Sequence, residues 1–172
     1  DSTLNAIDSK EYKEVGIALT DFIDENAKVY GEKYSLLIEE FQKDNVIVFD
    51  VESTGTDVTE DEIIQIAAIK INSKGEVIES FEKFLKNKKS VESSFKVHGF
   101  SDEFLREKGE DKKNVLEEFI EFSTDSVIVG HNVQYDINIL TSELNRNDMG
   151  GPKFKTFYDT LDIYRRFHTK LQ

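Results

Sequence analysis

Three apolar runs of strand length follow one another with short connections, and this constrains the fold more than any other feature of the chain. They are Val46 to Val51, Ile63 to Ile71 (IIQIAAIKI) and Val77 to Leu85 (VIESFEKFL). Gly55 and the segment NSKG at 72–75 supply turn residues between them, the second with the character of a hairpin loop. Three consecutive strands joined by short turns imply an antiparallel meander at one side of a sheet.

The pattern then changes. After a loop containing His98 and Gly99, helical periodicity appears at Ser101 to Glu107 and at Val115 to Phe122. SVIVGH at 126–131 reads as a short buried strand, VQYDINILTSELNR as a helix, and FKTFYDTLDIYRRF as a brief strand passing into a helix. Strands first, then alternation of strand and helix, predict an α/β class with a mixed sheet and helices packed on it. Upstream, residues 10–43 place Val15, Ala18, Phe22 and Ile23, then Tyr30, Tyr34, Leu37, Ile38 and Phe41, at helical spacing. They read as two amphipathic helices broken near Gly31. The chain thus divides into a helical appendage at 1–44, either a lid or a piece of a neighbouring domain, and a main domain at 45–172.

At 172 residues the chain is long enough for one sizeable core. No apolar run approaches the ~20 residues needed to span a bilayer, and neither a signal sequence nor a cysteine is present. A soluble protein of a reducing cytoplasm, with no membrane partner, is the expectation. The formal charge of −13 opposes a general nucleic-acid-coating role, so any phosphate contact is local or metal-mediated. Lys83, Lys86, Lys88 and Lys89 form the one basic cluster. They are either phosphate contacts or a solvated charge run, and Arg165 and Arg166 carry the same two readings.

Carboxylates interrupt the buried pattern. Strand alternation puts Asp50 and Glu52 on one face of VIVFDVESTG. At about 5 Å and an effective dielectric near 20, two such charges repel by roughly 3 kcal/mol. Protonation, solvent or a divalent cation removes that cost. The STG turn after them lets backbone come close to whatever they hold. In VIVGHNVQYDINIL, Asn132 reads as a helix N-cap, placing Asp136 about one turn into the helix. If the two buried strands lie side by side, their ends bring Asp50, Glu52 and Asp136 together. Three carboxylates without cysteine select Mg²⁺ or Mn²⁺. In nucleases, two such ions clamp an in-line displacement at phosphorus.

These residues resemble the DEDD (DnaQ-like) superfamily of 3′-to-5′ exonucleases. FDVESTGTDVTEDEIIQIAAIKI resembles the first motif, D-x-E-T-T-G followed by a strand. SFKVHGFSDEFL is similar to the V-H-G-I-T/S-D-E segment of the branch typified by bacterial proofreading subunits. VIVGHNVQYDINIL resembles the second motif, H-N-x-x-F-D-x-x-x-L, and FYDTLDIYRRF the later D-T-L-x-L-A-R-R segment. The resemblance spans about residues 45–168. It implies a ribonuclease-H-like mixed sheet flanked by helices and a two-metal site of Mg²⁺ or Mn²⁺ on Asp50, Glu52 and Asp136. It further implies hydrolysis of 3′-terminal phosphodiesters to nucleoside 5′-monophosphates. By position it places Thr54, Gly55 and His98 toward the terminal nucleotide, and His131 and Asn132 beside Asp136. The implied partner is a single-stranded nucleic acid 3′ end; the helical segment at 10–43, which such a fold does not need, points further to helicase or polymerase domains of a larger DNA replication or repair protein.

The chain departs from that pattern at its end. The third motif, H-x-x-x-x-D or Y-x-x-x-D, supplies a general base and a fourth acid, and no such motif occurs by Gln172; His168 lacks its aspartate. The expectation is a domain incomplete at its C-terminal end. Two readings follow: an exonuclease on DNA or RNA, and a catalytically degenerate nucleic-acid-binding or interaction module of the same fold.

Overall fold

Eight residues, Val46–Ser53, form the central strand β1 of a five-stranded sheet. The computed structural model describes residues 31–162 and orders the sheet β3-β2-β1-β4-β5. The other strands are β2 (Ile63–Ile71), β3 (Val77–Phe84), β4 (Val127–Gly130) and β5 (Thr156–Asp159). β1, β2 and β3 pair antiparallel as the meander, whereas β4 and β5 add on the other side of β1 in parallel. The helices are α1 (Gly31–Gln42), α2 (Phe95–His98), α3 (Asp102–Lys108), α4 (Lys112–Ser123) and α5 (Val133–Arg146).

Strand periodicity decides which side chains meet which helix. Ile47, Phe49 and Val51 face one way and pack with Val115 and Phe119 of α4 and with Ile137, Leu140 and Leu144 of α5. Phe49 stacks on Phe119 with ring centres 5.3 Å apart. Val46 and Val48 face the opposite way, against Tyr34, Leu37 and Phe41 of α1. Each such side chain withdrawn from water stabilises the fold by about 1.5–3 kcal/mol. The second helix predicted upstream is therefore α1, packed on the sheet. Its predicted predecessor lies outside the described residues, as do Arg165, Arg166 and His168.

A third apolar cluster joins Ile64, Val91 and Leu105 to Phe84, Phe100 and Phe104, fixing the chain between β3 and α4 onto the start of β2. β4 stops at Gly130, where a Cβ would stand 2.9 Å from the Phe49 carbonyl oxygen and 2.9 Å from Val133 Cγ2. Only glycine lets the chain pass that close to β1 and turn into α5. Among the described residues no helix is long and apolar enough to cross a membrane.

Candidate active site

The parallel β1–β4 ladder ends at the pair Val48–Val129, while β1 runs on to Ser53. The last residues of β1 therefore have no strand on that side, and the first turns of α5 fill the space. Asp50 is exposed and Glu52 half-buried on the face that carries Val46 and Val48 further back. Asp136 comes from α5 and is only 4% exposed. Its Oδ2 is buried without a hydrogen-bond partner.

The three acids sense one another. Burial and then the charge of Asp50 push the Glu52 carboxyl up to about 7. Burial, then Asp50 and Glu52, push Asp136 up to about 8; the Val51 backbone N–H pulls the other way, and Asp159 adds to the repulsion. Among the described residues no three His, Asp or Glu side chains are gathered closely enough to hold an ion as they stand. The site is a set of repelling carboxylates at one strand end, not a preformed cage. An all-oxygen, anionic donor set with one buried oxygen unpartnered fits a hard divalent cation.

The turn after the pair is held from both sides. Ser53 Oγ donates to the Gly55 carbonyl oxygen at 2.6 Å, Tyr135 Oη donates to the same oxygen at 2.6 Å, and the two hydroxyls lie 3.0 Å apart. Thr54 is buried: its hydroxyl donates to Asp61 Oδ1 at 2.8 Å and accepts from the Glu62 amide at 3.0 Å. Gly55 leaves no room for a side chain, since a Cβ would fall 2.5 Å from Asp61 Oδ2. Burial pushes the Asp61 carboxyl up, but Lys89, the Asp57 amide and Thr54 outweigh it and hold it below the usual range.

Asn132 stands at the head of α5 in the left-handed conformation, φ 53°, and its side chain makes no capping bond. The cap comes instead from Asp159 at the end of β5, which accepts from the Asn132 and Val133 amides at 3.2 and 3.3 Å. Asn132 is the N-cap residue by position, as expected, with Asp136 in the first turn, but the left-handed backbone turns its side chain away and a carboxylate from a neighbouring strand takes the free N–H groups. His131 and Asn132 are both exposed at this helix start, four or five residues before Asp136. His98 ends the short helix α2, where burial lowers its pKa. Nδ1 accepts from the Phe100 amide at 3.0 Å, so the proton sits on Nε2, 2.8 Å from Ser94 Oγ. Both ring nitrogens are thus engaged within that segment.

Tyr135, Asp61 and Asp159 are the residues that sequence reasoning did not assign to the site. One signal was present: the second motif has Phe where this chain has Tyr135, a hydroxyl added next to Asp136.

Comparison with known proteins agrees with this geometry. The family described as "Exonuclease" matches residues 47–172. A PolC-type DNA polymerase III of Streptococcus pneumoniae is 31% identical over 166 residues, 92% of this chain and 11% of the polymerase. That of Staphylococcus haemolyticus is 34% identical over 125 residues, 72% of this chain and 8% of the polymerase. The chain thus spans about a tenth of the length of these relatives. Escherichia coli exonuclease I in complex with a dT13 oligonucleotide superposes with a TM-score of 0.65 at 23% identity, covering 72% of this chain and 29% of that one. That likeness shows the ribonuclease-H-like fold. On the family match, the chain belongs to the exonuclease family, as a DEDD-type 3′-to-5′ exonuclease domain.

Proposed function

We propose that the chain removes nucleotides from the 3′ end of single-stranded DNA, or RNA, as nucleoside 5′-monophosphates, with Mg²⁺ or Mn²⁺ held by Asp50, Glu52 and Asp136. The observation that carries this reading is the convergence of those carboxylates beyond the end of the β1–β4 ladder, with Asp136 Oδ2 buried and unpartnered. A bound dication would neutralise the scissile phosphate and supply a metal-activated water as nucleophile.

The chain's own residues supply position. Tyr135 and Ser53 fix the Gly55 carbonyl, which holds the turn against the Asp50–Glu52 strand end. Asp61 fixes Thr54 from behind, so Thr54 acts through the shape of the turn, and the close approach at Gly55 leaves its backbone to face the terminal nucleotide. His131 and Asn132 form the exposed wall beside Asp136. The His98 segment reaches the terminal nucleotide by exchanging one of its two internal bonds. The polymerase relatives support a place in DNA replication beside polymerase domains. Helicase partners, a repair role and a cytoplasmic setting extend the same reading.

The test is metal binding followed by product analysis. Titration calorimetry shows Mn²⁺ binding to the wild type that disappears in Asp50→Ala, and a 5′-labelled oligonucleotide shortens one nucleotide at a time from its 3′ end. Absence of binding at millimolar Mn²⁺, or an endonucleolytic ladder, overturns the reading.

A further inference from the structure

Strands β1 and β3 both run antiparallel to β2, so the chain leaves β3 at the end of the sheet where β1 delivers Asp50 and Glu52. There Lys86, Lys88 and Lys89 meet Lys112 and Lys113 from the start of α4 and Arg146 from the end of α5. These six cations, from three distant parts of the sequence, line a groove of about 710 Å³.

Half of them are committed. Lys112 Nζ lies 2.5 Å from Glu62 and 2.9 Å from Glu143, Arg146 lies 2.9 Å from Glu143, and Lys89 lies 3.0 Å from Asp61. Of the groove's remaining acids, Glu60 and Asp111 make no ion pair among the described residues, Asp111 accepting only from the Asn114 amide. Lys86, Lys88 and Lys113 are exposed and make no ion pair among the described residues. In a chain of net charge −13, three unpaired ammonium groups face two unpaired carboxylates here. Like charges on one rim repel, and an anion lying between them removes that repulsion.

The groove lies behind the turn that follows Glu52, on the side of α4 and α5. The Thr54 amide donates to the Glu62 carbonyl at 2.9 Å, and Asp61 binds both the Thr54 hydroxyl and Lys89. Thr54 is two residues beyond Glu52 in the chain. A strand whose 3′ end lies at the acids reaches the groove by running over that turn, since both stand at the same end of the sheet.

We propose that this groove is a backbone track for single-stranded nucleic acid, in which Lys86, Lys88 and Lys113 contact phosphates upstream of the 3′ terminus held by Asp50, Glu52 and Asp136. The proposal rests on the exonuclease reading for the position of that terminus. The contacts are to phosphate alone, so they position the strand without reading its sequence.

The test measures fluorescence anisotropy of 5′-labelled oligothymidylates of four and sixteen nucleotides in EDTA, with the whole chain. The groove variant carries Lys86→Ser, Lys88→Ser and Lys113→Ser. A charge-matched control carries Lys43→Ser, Lys74→Ser and Lys153→Ser, all exposed at the opposite end of the sheet. The Kd for the 16-mer rises about tenfold in the groove variant and less than twofold in the control, and the slope of log K against log salt becomes shallower by about 2. The 4-mer is little affected by either. An equal Kd and slope in groove variant and control, or no binding of the 16-mer by the wild type, overturns the track. A Mn²⁺ hydrolysis assay separates the two readings. If the groove variant binds weakly as stated while the wild type releases no 3′ nucleotide, the exonuclease reading fails and the phosphate contacts stand. If the wild type shortens the strand and the groove variant does so with the same KM and salt slope, the track fails and the exonuclease reading stands.

Discussion

The phenolic oxygen of Tyr135 lies 2.6 Å from the carbonyl oxygen of Gly55 and donates to it across 80 residues of sequence. This bond ties the first turn of α5 to the turn that ends β1, the two elements that bring the acids together. Tyr135→Phe keeps the ring and deletes the donor. We expect a loss of about 1 kcal/mol, read as a fall of about 2–4 °C in melting temperature, together with weaker Mn²⁺ binding by calorimetry. Unchanged metal binding would show that the tie is structural only.

Stability should fall as pH rises in the metal-free protein. Unfolded carboxyls titrate near pH ~4, whereas Glu52 and Asp136 keep their protons up to about 7 and about 8 in the fold. Between those limits the native state binds more protons than the unfolded one, so the penalty grows from about pH 4 and is complete above about pH 8. Thermal melts in EDTA at several pH values check this. Asp136→Asn should flatten most of the slope and raise the alkaline stability by about 2 kcal/mol. Added Mn²⁺ should act in the opposite sense, stabilising most at high pH because its ligands must be deprotonated.

Glu143 is a buried charge with several partners. It accepts from the Ile63 amide at 3.0 Å and pairs with Lys112 and Arg146, binding the start of β2 to α4 and α5. Glu143→Leu leaves the buried Ile63 amide without its acceptor and takes one partner from Lys112, which keeps Glu62, and from Arg146, which keeps the Thr59 and Asp61 carbonyls; it should cost about 1–3 kcal/mol, measured from the urea midpoint. Glu143→Gln, which still accepts from Ile63, should cost less. Equal losses in the two variants would assign the effect to packing.

Asp159 closes α5 from the neighbouring strand. Asp159→Ala should cost about 1 kcal/mol, as other cap losses do, and speed hydrogen exchange at the Asn132 and Val133 amides. It should also lower the Asp136 pKa, because Asp159 is one of the charges raising it. Carboxyl NMR titration reads that shift directly.

The regular elements were legible because their signals are local. IIQIAAIKI is apolar almost throughout and is buried on both faces as a strand between two others. VQYDINILTSELNR has its bounds in the helix Val133–Arg146. Asp50, Glu52 and Asp136 could be grouped from the sequence because one buried strand ends in acid and the other runs into a helix whose first turn carries one. What escaped notice was non-local. Asp159 reaches back 27 residues to the helix it caps. Lys112 meets Glu62 across 50 residues, and nothing near Glu62 or Glu143 marks either as buried. Asp61 read as one more acid in TEDE, yet it holds Thr54 and borders Gly55.

The cap from β5 also bears on when this chain becomes dangerous to nucleic acid. All three acids are in the chain once Asp136 is made, but the carboxylate that closes the helix carrying Asp136 is synthesised 23 residues later, on the last strand of the sheet described here. A nascent chain, or one whose edge strand has peeled away, holds the acids without the helix start that aims one of them. On the exonuclease reading, completion of the sheet should then act as a safety catch during the chain's own synthesis. A stalled chain ending before Thr156 that bound Mn²⁺ as well as the finished one would show that no such catch exists.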